Sequence, residues 1–489
     1  MNCPECQRQT PDASATCESC GHRFTAAPPR TSRAAIAAFV LGLLPLSPLV
    51  AIGVLIVGLI ALRNIRRSRG ALKGRGWAIA GMTFCCISVV LVGAFWAWSL
   101  DAEPITDDYT IADLKYPGPE YDQTWDLLKQ LAQARDASGG EDWVQDAQES
   151  ISAFFKDFND PNQTIAATLS SHAATGERLW QDSMPAREII RQLSGFEHIS
   201  DLSDPVFCAG SDHQKDIRYL GGLYAMQAIL EAARGNDVSA SQTLIEMSTV
   251  NRKLSTTSRP LLTKLICFSN LGMDFQAAVF ILNAPSTSPA ALDLLRKHYA
   301  PLAEDQLCFT NCLIFEYLAE KRAWLDMLAQ QSSALALIAK PNSTLRVLRN
   351  CYDAQIARHR NRQFEALPVY PHGYPYQPYA PDDPLLERGG FYQVYNPFGW
   401  LFLCFTAPTT DHVLRQSERF AVTDDLFQII LAMRLGEDYS LESRIPGQEY
   451  VIDMDRKIIY SPGPDGEPFT WDDIKLPINP EVLQQTAGR

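Results

Sequence analysis

The chain has 489 residues, 46% hydrophobic and 20% charged, a composition that argues against wholesale disorder and leaves room for two to four domains. Its net charge of −13 is unevenly spread: residues 1–100 hold ten basic and three acidic residues, or +7. The other 33 basic and 53 acidic residues leave the remainder at −20, a charge that repels phosphates and argues against a nucleic-acid role.

The first predicted element is a metal knuckle over residues 1–24. Cys3-Pro4-Glu5-Cys6 and Cys17-Glu18-Ser19-Cys20 are two CxxC pairs, and Gly21 follows the second. Each CxxC turn places two thiolates on one side of a tight loop, and two such turns supply the four ligands of a tetrahedral zinc. The segment is too short to bury a core. Metal binding therefore supplies most of its folding free energy, on the order of 10 kcal/mol for structural zinc sites. Four thiolates leave no open coordination position, so Cys3, Cys6, Cys17 and Cys20 form a structural Zn2+ site rather than a catalytic one. Disulfides, bound iron and an empty dithiol are the competing readings, and His22 is read as a bystander. The pattern CPEC…CESCGHRF resembles the short zinc-ribbon heads at the start of many bacterial membrane proteins, departing from them at Gln7, where those heads carry glycine.

A linker over 25–33 leads to a membrane module over 34–98, with helices expected at 34–44, 49–63 and 77–98. The stretch 77–98 carries no charge and is flanked by Trp77, Trp96 and Trp98. As a helix it would span about 33 Å, against a hydrocarbon core of about 30 Å. The first apolar stretch, 34–62, is interrupted by Pro45 and Pro48. It either crosses once with a kink or folds back as a hairpin. Arg63, Arg66, Arg67, Arg69, Lys73 and Arg75 crowd the link to the last helix, and such links stay cytoplasmic. The thiolate knuckle also favours the reducing side. With both segments inside, the hairpin is preferred: three membrane helices, with everything after about residue 100 exported. The run IALRNIRRSRGALKGRGWAIAGM resembles a bacterial family of small membrane modules of unknown function, with Gly74, Arg75, Gly76, Ala78, Ile79, Ala80 and Gly81 in register. That resemblance implies architecture and location, in the bacterial inner membrane, and no activity.

Beyond a polar linker at 101–118, residues 119–366 read as a large, irregular α-helical domain. Val144, Ala147, Ile151, Phe154 and Phe158 draw one apolar stripe. Leu223, Met226, Leu230 and Ala233 draw another, and Gly235-Asn236-Asp237 stops and restarts the helix. Further helices are expected at 260–271, 275–282, 306–320, 324–338 and 345–362, packed as antiparallel hairpins. The stretch 219–250 is loosely similar to tetratricopeptide-type hairpins, without a clean repeat. Cys208, Cys267, Cys308, Cys312, Cys351 and Cys404 are read as buried thiols, with disulfides of unassigned pairing as the alternative in an exported domain.

A Pro/Tyr-rich connector, 367–390, precedes a C-terminal α+β part, 391–489. There a helix is expected over 424–435 and a β-hairpin over 450–454 and 457–460. The tail IYSPGPDGEPF resembles the YSxGPDG element of pseudopilins and of uncharacterised helical proteins from planctomycete-like bacteria. It raises Asp465, Asp472 and Asp473 as calcium ligands, against the simpler reading of a solvated turn.

No HExxH, GxSxG, Walker A or strand-led GxGxxG is present, and the eight histidines lack metal-ligand spacing. No catalytic residue is assigned. The fold class expected is mainly α, with a zinc ribbon, membrane helices and a small C-terminal β-hairpin. The function expected is a membrane-anchored scaffold, sensor or protein-interaction protein of the bacterial envelope, in contact with the lipid bilayer and an unspecified protein partner. A tethered envelope enzyme and a component of a secretion or pilus-like apparatus are the alternatives.

Overall fold

A computed structural model describes residues 2–3, 5–9, 16–23, 30–42, 48–68, 71–106, 108–114, 120–137, 140–160, 162–205, 212–330, 340–360, 396–406, 410–445, 447–463, 466–470 and 473–487. Of the hairpin turn expected at Pro45–Pro48 only Pro48 is among these residues, and the 367–390 connector falls outside them. The described chain is mostly helical with a small antiparallel sheet, and it divides into two compact units, Met1–Leu100 and Asp101–Arg489.

In the first unit, short strand β1 (Arg30–Thr31) precedes α1 (Arg33–Gly42) and α2 (Pro48–Arg67). Strand β2 (Leu72–Lys73) then leads into α3 (Arg75–Ser99). The Ser32 hydroxyl accepts a hydrogen bond from the Ala35 amide at 3.4 Å, which starts α1. Pro48 occupies the first position of α2, where a missing N–H costs nothing, and Arg66 and Arg67 face its negative C-terminal dipole. All three helices touch one another. Their contacts include small residues, with Ala35, Ala61 and Ala78 fully buried together, and larger ones: Leu62 and Ile65 pack on the alanines, Val54 packs on Cys85, and the Phe39 ring meets Trp77 at 4.5 Å. At Gly81 the α1 backbone comes so near that a Cβ would lie 2.4 Å from the Ala38 carbonyl oxygen. β1 and β2 pair in parallel, Arg30 beside Leu72 and Thr31 beside Lys73. This strap is fastened by Arg30 N–H to Ala71 O (3.1 Å) and Ser32 N–H to Lys73 O (2.9 Å). The outward faces keep large apolar side chains exposed, among them Ile36, Leu59, Ile60, Trp77, Phe84 and Val90.

The second unit holds α4 (Glu120–Ala137), α5 (Gly140–Phe158), α6 (Ile165–Asp182), α7 (Met184–Gly195), α8 (Asp212–Ala233), α9 (Asp237–Thr257) and α10 (Leu261–Asn283). Then come α11 (Pro289–His298), α12 (Glu304–Leu307), α13 (Thr310–Gln330), α14 (Pro341–Arg360), α15 (Pro397–Thr406) and α16 (Thr410–Leu435). α10 is the hub, packed on α8, α9, α13 and α16. It runs unbroken through the two segments read separately from sequence, because Gly272 sits in open space and the helix passes over it. α13 likewise joins the two helices expected at 306–320 and 324–338 as far as Gln330. The apolar stripes are buried as their periodicity requires: Val144, Ala147, Ile151 and Phe154 on α5, and Leu223, Met226 and Leu230 on α8. Gly235 has φ +85°, the left-handed conformation that ends α8. At Gly221 the α8 and α10 backbones close on Asn270, whose amide donates to Ile217 O at 2.9 Å and Asn251 Oδ1 at 3.3 Å.

Among the described residues, one helix is long and apolar enough to cross a bilayer, α10, and 67% of its apolar window is buried inside this unit. Phe268, Leu271, Phe275 and Leu282 pack there, and Lys264, Asn270 and Asp274 are buried on the same helix. Those properties mark a core helix.

The sheet contains more than the expected hairpin. Strand β3 (Val451–Asp453) pairs antiparallel with β4 (Ile458–Ser461), which pairs antiparallel with β5 (Ile474–Pro477), Ile459 opposite Leu476. The final helix, α17 (Pro480–Ala487), packs with β5 on α16. Asn479, just before α17, donates to Asn283 at the end of α10 twice, from its amide N–H to Oδ1 (2.8 Å) and from its side-chain amide to the carbonyl oxygen (3.0 Å).

The segment expected to be a linker at 101–118 is, over 101–114, bound to the helical body. Both Asp101 carboxylate oxygens cap α14, accepting from the Asn342 and Ser343 amides at 2.8 and 3.0 Å. Asp108 accepts from the Tyr317 hydroxyl and pairs with Lys321 (2.5 Å) and Arg349 (3.4 Å). Arg349 also lies 3.5 Å from the Tyr109 ring, and the Tyr109 hydroxyl donates to Asp353 at 2.7 Å. Burial works against the Asp108 charge, but the Lys321 and Tyr317 hydrogen bonds outweigh it and hold its carboxyl below the ordinary range.

A depressed folded value means that Asp108 stabilises the native state above the unfolded carboxyl pKa of about 3.9 and loses that contribution as pH falls through the lower folded value. The protection factors of the amides of residues 101–106 and 108–114, taken against intrinsic exchange at each pH, are therefore expected to be high at neutral pH and to fall in acid. Asp108→Asn should loosen the segment at pH 7 by about 2 kcal/mol, the scale of hydrogen bonds to a charged group. Equal protection in wild type and variant would show that the cluster does not hold the segment.

Candidate metal centre

The four N-terminal cysteines converge although eleven residues separate Cys6 from Cys17. Two turns of the same construction bring them together. In the first, the Cys3 N–H donates to Arg8 O (3.0 Å) and the Gln7 N–H to Cys3 O (2.8 Å). In the second, the Cys17 N–H donates to His22 O (2.8 Å) and the Gly21 N–H to Cys17 O (2.8 Å). Antiparallel bridges close each turn, Asn2 with Gln9 and Thr16 with Arg23. Gln7 and Gly21 occupy equivalent positions and both take positive φ, +55° and +74°. Glycine does so at no steric cost, whereas a side chain with a Cβ is strained there by roughly 1 kcal/mol.

The sulfurs lie 3.6 Å apart for Cys3 and Cys20 and 3.5 Å apart for Cys6 and Cys17, and all four fall within 4.8 Å of one another. A tetrahedron of thiolates about 2.3 Å from a central zinc has S–S edges of about 3.8 Å. The four cysteines are free thiols, well beyond the roughly 2.05 Å of a disulfide. They fit a single metal ion with a closed donor set, and that ion needs them ionised. The Ser19 N–H, aided by the Cys20 N–H and neighbouring thiols, lowers the Cys17 thiol to about 6. At Cys20 the His22 backbone pulls the pKa down, but burial and the Cys6, Cys3 and Cys17 sulfurs prevail and push it up to about 12. Four sulfurs in this space favour one readily ionised thiol and resist the next, a resistance that a cation at their centre removes. The His22 ring pairs with Glu5, Nδ1 to Oε1 3.4 Å.

Other polar clusters are structural in form. His213 meets Asp201 at 2.9 Å, and Thr263 and Ser203 donate to the same carboxylate deep in the core. Burial opposes the charge of Asp201, but His213 and the hydroxyls keep its pKa low. Asp274 is wholly buried on α10, and burial drives its carboxyl well above the usual range. Asp424 caps the Leu302 amide at 2.8 Å, and Asp425 binds Arg444 at 2.6 and 2.9 Å. Asp473 closes a turn by accepting from the Phe469 amide at 2.6 Å; Asp465 and Asp472 lie outside the described residues. Cys267 and Cys312 are buried free thiols, Cys351 is buried and Cys308 is half-buried. Cys308 precedes α13 and does not share a helical face with Cys312, which donates to Ser258 O at 3.3 Å. Cys208 and the Cys404 side chain lie outside the described residues.

Comparison with models of known protein families, with curated proteins and with solved structures finds no match for this chain.

The purified protein is expected to carry about one metal ion per chain, and the Cys3, Cys6, Cys17 and Cys20 serine variant none. Gln7→Gly should relieve the positive-φ strain and tighten metal binding about fivefold in a chelator competition, the equivalent of about 1 kcal/mol. Metal analysis of these variants checks both outcomes. Metal-free wild type, or retention by the serine variant, would contradict the assignment.

Proposed function

We propose that this chain is a membrane-anchored, non-enzymatic scaffold, sensor or protein-interaction protein of the bacterial envelope. In this reading the four-cysteine head is a cytoplasmic zinc ribbon, residues 34–98 hold it in the inner membrane, and the helical body is exported. The observation that carries the proposal is the charge and packing of the first unit. α1, α2 and α3 join through small residues and leave Ile36, Leu59, Ile60, Trp77, Phe84 and Val90 exposed, the reverse of a water-soluble bundle. Residues 19–100 contain no Asp or Glu, and after the head the basic residues fall at 30–33 and 63–75. A lipid environment supplies the apolar partner that those faces lack.

The strap between 30–31 and 72–73 supports the hairpin reading of α1 and α2. It holds the chain before α1 beside the chain before α3, so the segment between them leaves and returns to one side. Zinc is the favoured metal because a closed set of four thiolates in a short double-knuckle head suits a structural tetrahedral ion. A role in binding rather than catalysis is supported by the strongly perturbed carboxyls of the body, Asp274 and Asp424, which are enclosed in packed helices with no exposure to a substrate. The surface depression lined by Gln123, Asp126, Leu127, Gln130, Gln192 and Phe196 is open, with Asp126 as its one charged side chain.

Reporter domains fused after Phe24, Lys73 and Leu100 test the arrangement. The first two should report the cytoplasm and the third the exported side. Residue 24 outside with residue 73 inside would replace the hairpin by a single crossing; all three inside would refute the anchor.

A further inference from the structure

The strap does more than join two loops, because it gathers cations from three separate stretches of chain. Ala35 near the start of α1, Ala61 near the end of α2 and Ala78 near the start of α3 are buried against one another, so these three helix ends meet. Around them stand Arg30 and Arg33, then Arg63, Arg66 and Arg67, then Lys73 and Arg75, and each is exposed. No carboxylate between residues 19 and 100 is available to neutralise them. α1 and α3 also both begin here, so two helix N-termini add positive potential to the same end. α2 ends here, and its C-terminal dipole is offset by its own Arg66 and Arg67.

This positive end borders apolar surface. Trp77 is 50% exposed two residues from Arg75, and Ile36, Leu59, Ile60 and Ile79 are exposed within a turn or so of the cations. Nucleic acid would match the charges but would leave those apolar side chains in water. A phospholipid matches both, since its phosphate lies at the level of the cations and its acyl chains lie beside the adjoining apolar face. Tryptophan beside arginine is the pairing suited to that boundary.

We propose that the end of the first unit formed by residues 30–33, 63–67 and 72–77 selects anionic phospholipid headgroups. The proposal rests on the reading of α1–α3 as membrane helices and adds a lipid preference to it. The preference is a matter of charge and position: Arg63, Arg66 and Arg67 on α2 and Lys73 on the strap face headgroup phosphates from one side, and Arg30, Arg33 and Arg75 face them from the other helix starts. An anionic lipid is favoured over a zwitterionic one by about fivefold for each basic side chain near the surface. The advantage weakens as salt shortens the range of the field.

The full-length metal-loaded protein is reconstituted into vesicles of phosphatidylcholine with a minority of phosphatidylglycerol. Tryptophan fluorescence is quenched in parallel by brominated forms of each lipid, and the two quenching curves give their relative association constant. The expected preference for phosphatidylglycerol is fivefold or more, falling toward unity in Arg63→Gln/Arg66→Gln/Arg67→Gln and in high salt. The charge-preserving Arg63→Lys/Arg66→Lys/Arg67→Lys variant should retain it, which separates loss of charge from loss of fold. Quenching by both lipids with a ratio of one would overturn the proposal and leave the membrane anchor standing. Quenching by neither would remove the anchor itself. Tight binding of a short RNA by the detergent-solubilised protein, together with a lipid ratio of one, would assign the cations to nucleic acid and overturn the proposal as well.

Discussion

Ala35, Ala61 and Ala78 meet where three helix ends come together, and the account of the first unit depends on that contact. Small side chains let backbones approach closely, as Gly81 does against Ala38. Ala35, Ala61 and Ala78 bring the starts of α1 and α3 close to the end of α2, with Leu62 and Ile65 packed around them. The larger apolar side chains are thereby left on the outside, and basic residues from both flanking loops are brought to one end. A single bulky side chain at the alanine junction would separate these ends and scatter the charges.

The second unit is governed by a different constraint, the need to satisfy polar groups inside a large helical body. α10 carries Lys264, Asn270 and Asp274 into the core. Lys264 donates to the Ser255 and Cys308 carbonyls at 2.6 and 2.7 Å, tying its own helix to the end of α9 and to the approach to α13. The Asp108 cluster acts in the same manner at the other extremity, fastening the chain that leads in from residue 101 to α13 and α14. The first residue of the body, Asp101, thus caps a helix that lies some 240 positions later in sequence.

What the sequence made readable followed the range of the interactions involved. The CxxC pairs are local turns, and the convergence of Cys3, Cys6, Cys17 and Cys20 needs only a short loop between them. Gln7 looked like a departure from the knuckle pattern, yet its backbone takes the same left-handed turn as Gly21, so the turn's hydrogen bonds prevail over side-chain preference. The apolar stripe on α5 was legible because three- and four-residue spacing decides which face is buried, whereas α8 is buried on every side from Tyr219 to Leu230 and Ala233 of its expected stripe is exposed. The continuity of α10 was not, since the expected helices at 260–271 and 275–282 are joined into one by packing on four other helices. Nor was the role of Asp108, whose partners Tyr317 and Arg349 lie 209 and 241 residues away. Strand β5 is four residues long and ends in proline, which leaves little alternation to detect.

The chain before α1 and the chain before α3 lie side by side, an arrangement that the proposed membrane anchor requires of the protein in the bilayer. Cysteines introduced as Thr31→Cys and Lys73→Cys, which face each other in the parallel pair, test it in native membranes with a short bismaleimide. The account predicts an intramolecular crosslink between peptides containing residues 31 and 73, detected by mass spectrometry after digestion. Efficient single labelling of both cysteines without that crosslink would contradict it.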